Sequence, residues 1–577
     1  MHIPSFYVTK VTLVLEGILY LCYTNYNSMK ILIVGGVAGG ATAATRLRRL
    51  SEENQIIIFE RSGYVSFANC GLPYHIGGTI SQRDKLLLQT PQSLKSRYNL
   101  DARVRSEVVS IDRVNKSIEV KNLETGAHYT ETYDKLLLSP GADPIRPAFP
   151  GVQHPKILSL RNIEDMDRII ESTKQENDFV VVGGGFIGLE VAENLIEKGK
   201  NVTLVELSPQ VMAPVDIEFA SFLHEKARGK GLKILLQTGV ERFNATGEGL
   251  EVTLSNGQTL QAGAVILAIG VRPENTLAKA AGLAVGVTGG IEVNRYLQTS
   301  DPDIYAVGDA IEVKQLVSEQ PVLIPLAWPA NRQGRLVADN LLYGNTREYQ
   351  GTLGSSILKF FELSVAATGL NEKMLKKLNI PYQSIIITKG HHAGYYPGAK
   401  DMVLKVLFDP KGGILGAQAV GEEGVDKRID IIATAMHAGL KVQDLQEIEI
   451  TYAPPFNSAK DLINIAGDAA ENILNGTLKV INHDALWDYQ KANDALLIDV
   501  RTKEEFSRGH IPGAINHNVD ELRALLPTLD PTRKYIIYCQ VGLRGYLANK
   551  ILSNHGFDTV NLQGGYHLWN KLYPQNN

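Results

Sequence analysis

The sequence predicts an α/β protein of about four domains, and three observations carry that prediction. Two glycine-rich turns, Gly35–Gly40 and Gly183–Gly188, each stand between an apolar run and a helix-forming stretch. Near residue 478 a separate series of strand and turn signals begins. The length, 577 residues, suits about four domains at roughly 100–200 residues each. Composition agrees, since 44% hydrophobic and 21% charged residues is the balance of ordinary globular chains. Lys and Arg number 58 against 62 Asp and Glu, so the net charge of −4 creates no field that attracts nucleic acid or anionic lipid. Three cysteines, Cys22, Cys70 and Cys539, rule out a secreted disulfide scaffold and point to a reducing, cytoplasmic compartment.

The first apolar stretch, Val11–Tyr23, has 13 residues and contains Glu16. A spanning helix needs about 20 apolar residues, so no membrane association is expected. No small-residue cleavage site follows it. The expectation is a leader over residues 1–28, a true start at Met29, and no function for Cys22.

From Met29 the order is strand (Lys30–Val34), turn (GGVAGG), helix (Ala41–Leu50) and a strand ending in an acid (Gln55–Glu60). That is a βαβ dinucleotide unit, although Val37 occupies the second glycine position of G-x-G-x-x-G. The second copy is complete: Phe179–Val182, then Gly183, Gly185 and Gly188 at the required spacing, then a helix through Lys198 and the strand Asn201–Glu206. Its first glycine permits the tight turn, the second admits a pyrophosphate, the third lets helix and strand pack, and the helix N-terminus supplies N–H donors. Two Rossmann-like units in one chain predict a two-nucleotide enzyme.

Asp309 follows Gly308 after a predicted strand, where an acid accepts a hydrogen bond from a flavin ribityl hydroxyl; a plain turn residue is the other reading. FAD is therefore assigned to the first unit, with Gly35, Gly39, Gly40 and Glu60, the last on the adenosine ribose. Glu206 is placed to accept from a ribose 2′-OH and to repel a 2′-phosphate, which predicts NADH over NADPH. The expected FAD-binding domain is 29–146 with 262–344, interrupted by an NAD-binding domain at 147–261. An α+β domain follows at 345–472, with strands at Ile357–Phe361 and Val403–Phe408, a helix at Gly424–Ala438 and Tyr-bearing turns HHAGYYPGA and TYAPPFNS. Asn475–Gly476 is the expected joint to the last domain, 478–573. No metal site is expected.

Cys70, in SFANCGLPY, has no partner cysteine four or five residues away, so an internal dithiol is impossible. A lone redox thiol works with an external sulfur or peroxide, and an inert thiol is the alternative. Cys539 opens CQVGLRG, whose glycines allow backbone N–H groups to converge on one atom as an anion nest; with Arg544 they are expected to hold a thiolate or persulfide there.

These motifs resemble known families. Residues 29–470 resemble the single-cysteine pyridine nucleotide–disulfide oxidoreductases through GGVAGG, SFANCGLPY, GGGFIGLE, AIGVRPE and YAVGDA. Residues 478–573 resemble a rhodanese domain through LIDVRTKEEFSRGHIPGAIN and CQVGLRG. The combination resembles the coenzyme A-disulfide reductase/rhodanese fusions, and within them the NADH-dependent persulfide reductases. The resemblance implies a homodimer and a redox nucleophile at Cys70. It also implies coenzyme A contacts at Ser66 and Asn69, and at Arg46 and Arg49 for the phosphates. Tyr396 and Tyr452 are implied to reach the partner subunit's Cys70, with Tyr395 and Tyr396 not separable. Related NADH peroxidases and oxidases carry a histidine where this chain has Ala38, which favours disulfide or persulfide chemistry. The expected substrate is a persulfide, polysulfide or coenzyme A disulfide, with Cys539 as sulfane-sulfur carrier. The alternatives are a reductase that maintains a coenzyme A thiol pool, an NADH oxidase and a non-catalytic redox sensor.

Overall fold

The computed structural model describes residues 28–247 and 249–574, together with the backbone of Thr12–Leu15 and Ile18–Leu21, which pair antiparallel. The leader expectation for 1–28, including Cys22, otherwise lies outside the described residues. None of their helices is long and apolar enough to cross a membrane.

One architecture occurs twice. A parallel five-stranded sheet has the order Ile304–Ala306, Lys135–Leu138, Lys30–Val34, Gln55–Phe59, Asp101–Arg103. A second has the order Ile157–Leu158, Ala264–Leu267, Asp178–Val182, Asn201–Val205, Lys233–Leu235. Each is accompanied by a three-stranded antiparallel sheet, Ser106–Thr132 in one case and Val240–Ala262 in the other. The central strands are covered on both faces, so they read as unbroken apolar runs: Ile31, Leu32, Ile33, Ile57 and Ile58 are all 0% exposed. Each such side chain contributes about 1.5–3 kcal/mol. In both sheets the chain departs in opposite directions from the strand that precedes a glycine turn. That reversal opens a crevice at the strands' carboxyl ends.

The first helix runs Ala38–Leu50, three residues longer at its start than its propensities suggest. Gly39 and Gly40 are weak helix formers but are required by packing. A Cβ at Gly40 would lie 2.0 Å from the Gly35 carbonyl, and one at Gly39 would lie 2.8 Å from Val307. Packing overrides propensity here.

The third sheet is antiparallel, in the order Ser356–Phe360, Leu363–Gly369, Ile414–Gly421, Asp401–Phe408, Gln383–Gly390. Helices Val425–His437 and Leu462–Leu474 share its apolar core. The last sheet is parallel, in the order Val480–Ile481, Asp558–Leu562, Lys534–Tyr538, Leu496–Asp499, Ile515–Asn516.

This last unit is docked firmly. Gln563 accepts from Ile386 N–H at 2.8 Å and donates to Ser384 and Asn482. Leu568 enters the core that contains Phe219, and Lys571 pairs with Glu225. Beneath it lies Lys405, 0% exposed, with carboxylates of Asp216, Glu218 and Glu372 at 3.1, 3.0 and 3.0 Å. Asn482 of the last unit donates to that Glu372.

Next to it His483 is buried, and among the described residues neither of its ring nitrogens has a hydrogen-bond partner. Burial, with Lys405 adding to it and Asp484 opposing, pushes its imidazole down to about 4. His224 is pushed down to about 4 by burial and Arg228, and its Nε2 accepts the Val211 N–H at 3.2 Å. A base with a depressed native pKa is protonated first in the unfolded chain. The stability from its neutral form is full above about 6.5 and is lost as pH falls towards 4, at about 1.4 kcal/mol per pH unit per group. His483→Met should therefore be stabilised relative to the wild type as pH falls from about 6.5 to 5, by up to about 1.4 kcal/mol per pH unit, read as the difference between the two proteins' urea midpoints.

Candidate active site

The first glycine turn is built for an anionic ligand. Gly35 has φ +94°, and a Cβ there would lie 2.0 Å from the Ser139 carbonyl. No side chain caps the Ala38–Leu50 helix, and its first turn contains no acid, so its leading N–H groups face the turn uncompensated. Glu60 is 8% exposed, accepting from Gly36 N–H at 2.9 Å and from Ser62 N–H at 2.8 Å.

The second turn repeats this construction. Gly183 has φ +105°, and a Cβ on Gly188 would meet the Gly183 carbonyl at 1.9 Å. Gly185 caps the helix Phe186–Glu197, and a Cβ there would meet no atom within 4 Å, so protein packing does not require that glycine. It leaves room above the helix N-terminus. Glu206 accepts from Gly184 N–H at 2.6 Å and Ser208 N–H at 2.7 Å, as Glu60 does in the first unit.

Asp309 lies in the turn Gly308–Ala310, which is pinned by Gly308 N–H donating to Gln333 at 2.7 Å. Burial pushes its carboxyl up to about 6, with Arg161 opposing. Among the described residues no side-chain or backbone donor is bonded to it.

Cys70 is exposed and sits in the turn Asn69–Gly71, ahead of the helix Leu72–Gly77. Ser66 has the left-handed φ of +46°, which costs a residue other than glycine about 1–2 kcal/mol. Its N–H donates to the Gly36 carbonyl at 2.8 Å and its carbonyl accepts from Leu88 N–H at 3.0 Å, which fixes the bend and ties this segment to the first glycine turn. The other side is clamped to the second unit. A Cβ at Gly77 would lie 2.1 Å from Asn194 Oδ1, Lys198 Nζ donates to the Ile76 carbonyl at 3.0 Å, and Tyr74 Oη donates to Glu190 at 3.4 Å. The segment that carries the thiol is thus tied to the first glycine turn on one side and to the helix Phe186–Glu197 of the second unit on the other.

Glu190, the last residue of GGGFIGLE, was not singled out from sequence; its place two residues past Gly188 is the only signal it leaves. Burial pushes its carboxyl up to about 7, against the Tyr74 hydrogen bond. The Cys70 thiol is pushed up by partial desolvation, then by Glu190 and by Asp309. Removing one of those negative charges should ease ionisation. Glu190→Gln is expected to move the pH profile of Cys70 alkylation by iodoacetamide to lower pH, measured by mass spectrometry.

The remaining candidates divide. Tyr395 Oη bonds Tyr452 Oη at 2.6 Å, whereas Tyr396 packs edge-on against His392 with ring centroids 5.6 Å apart. Tyr395 is thus the neighbour bonded to Tyr452, and the expected Tyr396 faces His392. Arg46 Nε donates to Asp339 at 3.0 Å, so part of its charge is already paired; Arg49 and Asn69 are exposed.

In the C-terminal unit Cys539 is 1% exposed, and its Sγ accepts the Gly542 N–H at 3.1 Å. The loop places one of the expected nest donors on the sulfur, and Arg544 acts electrostatically on Cys539 while bonded to a carboxylate. Among the described residues Gly542 supplies the one N–H bonded to that sulfur. Arg544 donates through both terminal nitrogens to Glu505, at 2.6 and 2.7 Å, because the helix Lys503–Ser507 presents that carboxylate beside it. The Cys539 and Gln540 carbonyls accept from Tyr566 and His567 N–H at 2.8 Å, bracing the loop.

Residues 29–334 match the profile of the pyridine nucleotide-disulphide oxidoreductases. The chain belongs to this family. Residues 355–462 match that family's dimerisation domain, and residues 482–572 match the rhodanese-like domain. A curated relative, the coenzyme A disulfide reductase of Staphylococcus aureus (strain JH9), is 36% identical over 445 residues, 77% of this chain and 100% of that protein. The reduced CoADR-RHD of Bacillus anthracis is similar in structure, with a TM-score of 0.93 and 49% identity over 96% of this chain and 99% of that one. An NAD-dependent persulfide reductase from A. fulgidus aligns with a TM-score of 0.88 and 32% identity, covering 94% of this chain and 100% of its own. The family implies FAD and a pyridine nucleotide. Both turns fit such groups, with cradles a Cβ would fill, uncapped helix N-termini and, in Asp309, a half-buried carboxylate to which no donor among the described residues is bonded. The enzyme is an oxidoreductase with an appended rhodanese-like domain, and its dimerisation domain suggests a homodimer.

Proposed function

We propose that the enzyme uses NADH to reduce sulfane sulfur in persulfides and polysulfides, and coenzyme A disulfides or persulfide, at a single thiol. The observation that carries this reading is the clamp on Cys70, tied to the first turn through Ser66 and facing Glu190 on the helix of the second. Gly35, Gly39, Gly40, Glu60 and Asp309 are assigned to FAD, and Gly183, Gly185, Gly188 and Glu206 to NADH. When bound, the two cofactors supply the electron pair the sulfur chemistry consumes.

Cys70 acts as thiolate. It attacks the sulfane sulfur, the S–S bond breaks, and the thiolate that departs takes a proton to become a thiol. The sulfur left on Cys70 is released as sulfide by the electron pair and protons, which regenerates the thiolate. Tyr395 and Tyr452 are read as a joined proton donor from one protomer to the partner subunit's Cys70 in a homodimer. Ser66, Asn69, Arg46 and Arg49 are assigned to coenzyme A, with the guanidinium of Arg46 shared with Asp339. Cys539 is the sulfane-sulfur carrier. The domain extents follow the sequence, with FAD on 29–146 and 262–344, NADH on 147–261, dimerisation on 345–472 and the rhodanese domain on 478–573. The thiol chemistry suits the cytoplasm.

Steady-state anaerobic NADH consumption tests this reading. Persulfide and polysulfide should support turnover with sulfide released. Turnover on coenzyme A disulfide alone would make the enzyme a thiol-pool reductase, and turnover on none would leave a redox sensor. Glu206→Ala should narrow the preference for NADH over NADPH by about tenfold, read as the ratio of kcat/KM values.

A further inference from the structure

Both guanidinium groups beside the Cys539 loop are already paired. Arg544 is held by Glu505 in two parallel hydrogen bonds of 2.6 and 2.7 Å. Glu505 is itself fixed at the third position of a capping box. Its Oε2 accepts the Thr502 N–H at 3.1 Å, while its own N–H donates to Thr502 Oγ1 at 3.2 Å. Arg501 is 2% exposed, and its bonds go to Asp499, to the Gly509 carbonyl at 2.6 Å, and to Gln540 Oε1 in the loop at 3.1 Å. Two cations thus face two carboxylates, and Arg544 holds Glu505 down to about 2, ionised throughout the working range.

Sulfane-sulfur donors fall into two chemical classes. In a sulfonate-terminated donor such as thiosulfate, a doubly negative ion, the leaving group is sulfite, and its oxygens need a cation when they lose water. In an organic persulfide or polysulfide the leaving group is a thiolate, with its charge on one sulfur.

We propose that Glu505 sets the donor specificity of Cys539: by occupying Arg544 it disfavours sulfonate-terminated donors and leaves a loop suited to organic persulfides and polysulfides. This rests on the reading of Cys539 as a sulfur carrier. In the favoured step the Cys539 thiolate attacks the outer sulfur of R–S–SH. The S–S bond breaks, the R–S group leaves as a thiol with the proton, and the outer sulfur stays on Cys539 as a persulfide. No external oxidant or reductant is needed. Glu505 acts through Arg544 and is a positioning residue.

The test uses the full-length protein, mixed with thiosulfate or with cysteine persulfide, and follows the mass of the Cys539 peptide for added sulfur. The readout is the ratio of the thiosulfate rate to the persulfide rate. It should be low in the wild type, rise about tenfold or more in Glu505→Gln as Arg544 is released, rise also in Glu505→Ala, and fall back in Glu505→Gln/Arg544→Ala. The proposal is overturned if the wild type loads equally from both donors, if neither single variant raises the ratio, or if the rise persists in the double variant. Persulfide loading that depends on Cys539, seen alongside any of those results, would leave the carrier reading standing alone. No loading from either donor would remove both.

Discussion

Cys70→Ser should abolish NADH-driven sulfide release, by about 1,000-fold or more, while FAD and NADH still bind. The size follows from the chemistry, because a serine hydroxyl neither ionises appreciably at neutral pH nor forms a bond to sulfur that electrons can reverse. Binding should survive because the cradle residues are elsewhere: Gly35 against Ser139, Glu60 on Gly36 and Ser62, Glu206 on Gly184 and Ser208. The measurements are cofactor content of the purified variant and sulfide by colorimetry. A variant that keeps more than a tenth of wild-type turnover would show that the sulfur at position 70 is not the nucleophile.

The second large effect concerns stability. Lys405 is ion-paired with Asp216, Glu218 and Glu372 at once, at a junction where the helix Ile217–Gly229, the antiparallel sheet and the C-terminal unit meet. Burial pushes Asp216 up, but Lys405 and Gln418 outweigh it and hold it below the usual carboxylate range. Glu372 is pushed up by burial in spite of Lys405. Lys405→Met leaves buried carboxylates facing one another, a loss of about 3–5 kcal/mol. The urea midpoint should fall accordingly at pH 7.5, and Lys405→Met/Glu372→Gln should recover part of it. A midpoint unchanged in the single variant would mean that the cluster is solvated in solution.

Local pattern and distant contact account for what the sequence made legible. The dinucleotide turns could be read because their glycines, the helix after them and the acids Glu60 and Glu206 fall within about 25 residues of one another, which is one βαβ unit. The lone cysteine could be read because its chemistry depends on the absence of a neighbour. Other features depend on residues far apart. Glu190 matters through Tyr74, 116 positions away. Along the chain Arg544 reads only with the Cys539 loop, and its bond to Glu505, 39 residues upstream, is made by the fold. Tyr395 and Tyr396 are indistinguishable along the chain, and only the pairing with Tyr452 separates them. The three carboxylates around Lys405 come from two separate segments, 216–218 and 372, and no periodicity announces them.

The most direct test of the central claim is a single turnover under argon, with one equivalent each of NADH and cysteine persulfide added to the full-length enzyme. The wild type should yield one sulfide per NADH oxidised, and Cys70→Ser should yield none. Oxidation of NADH without sulfide, or equal sulfide from the serine variant, would contradict electron delivery to that sulfur.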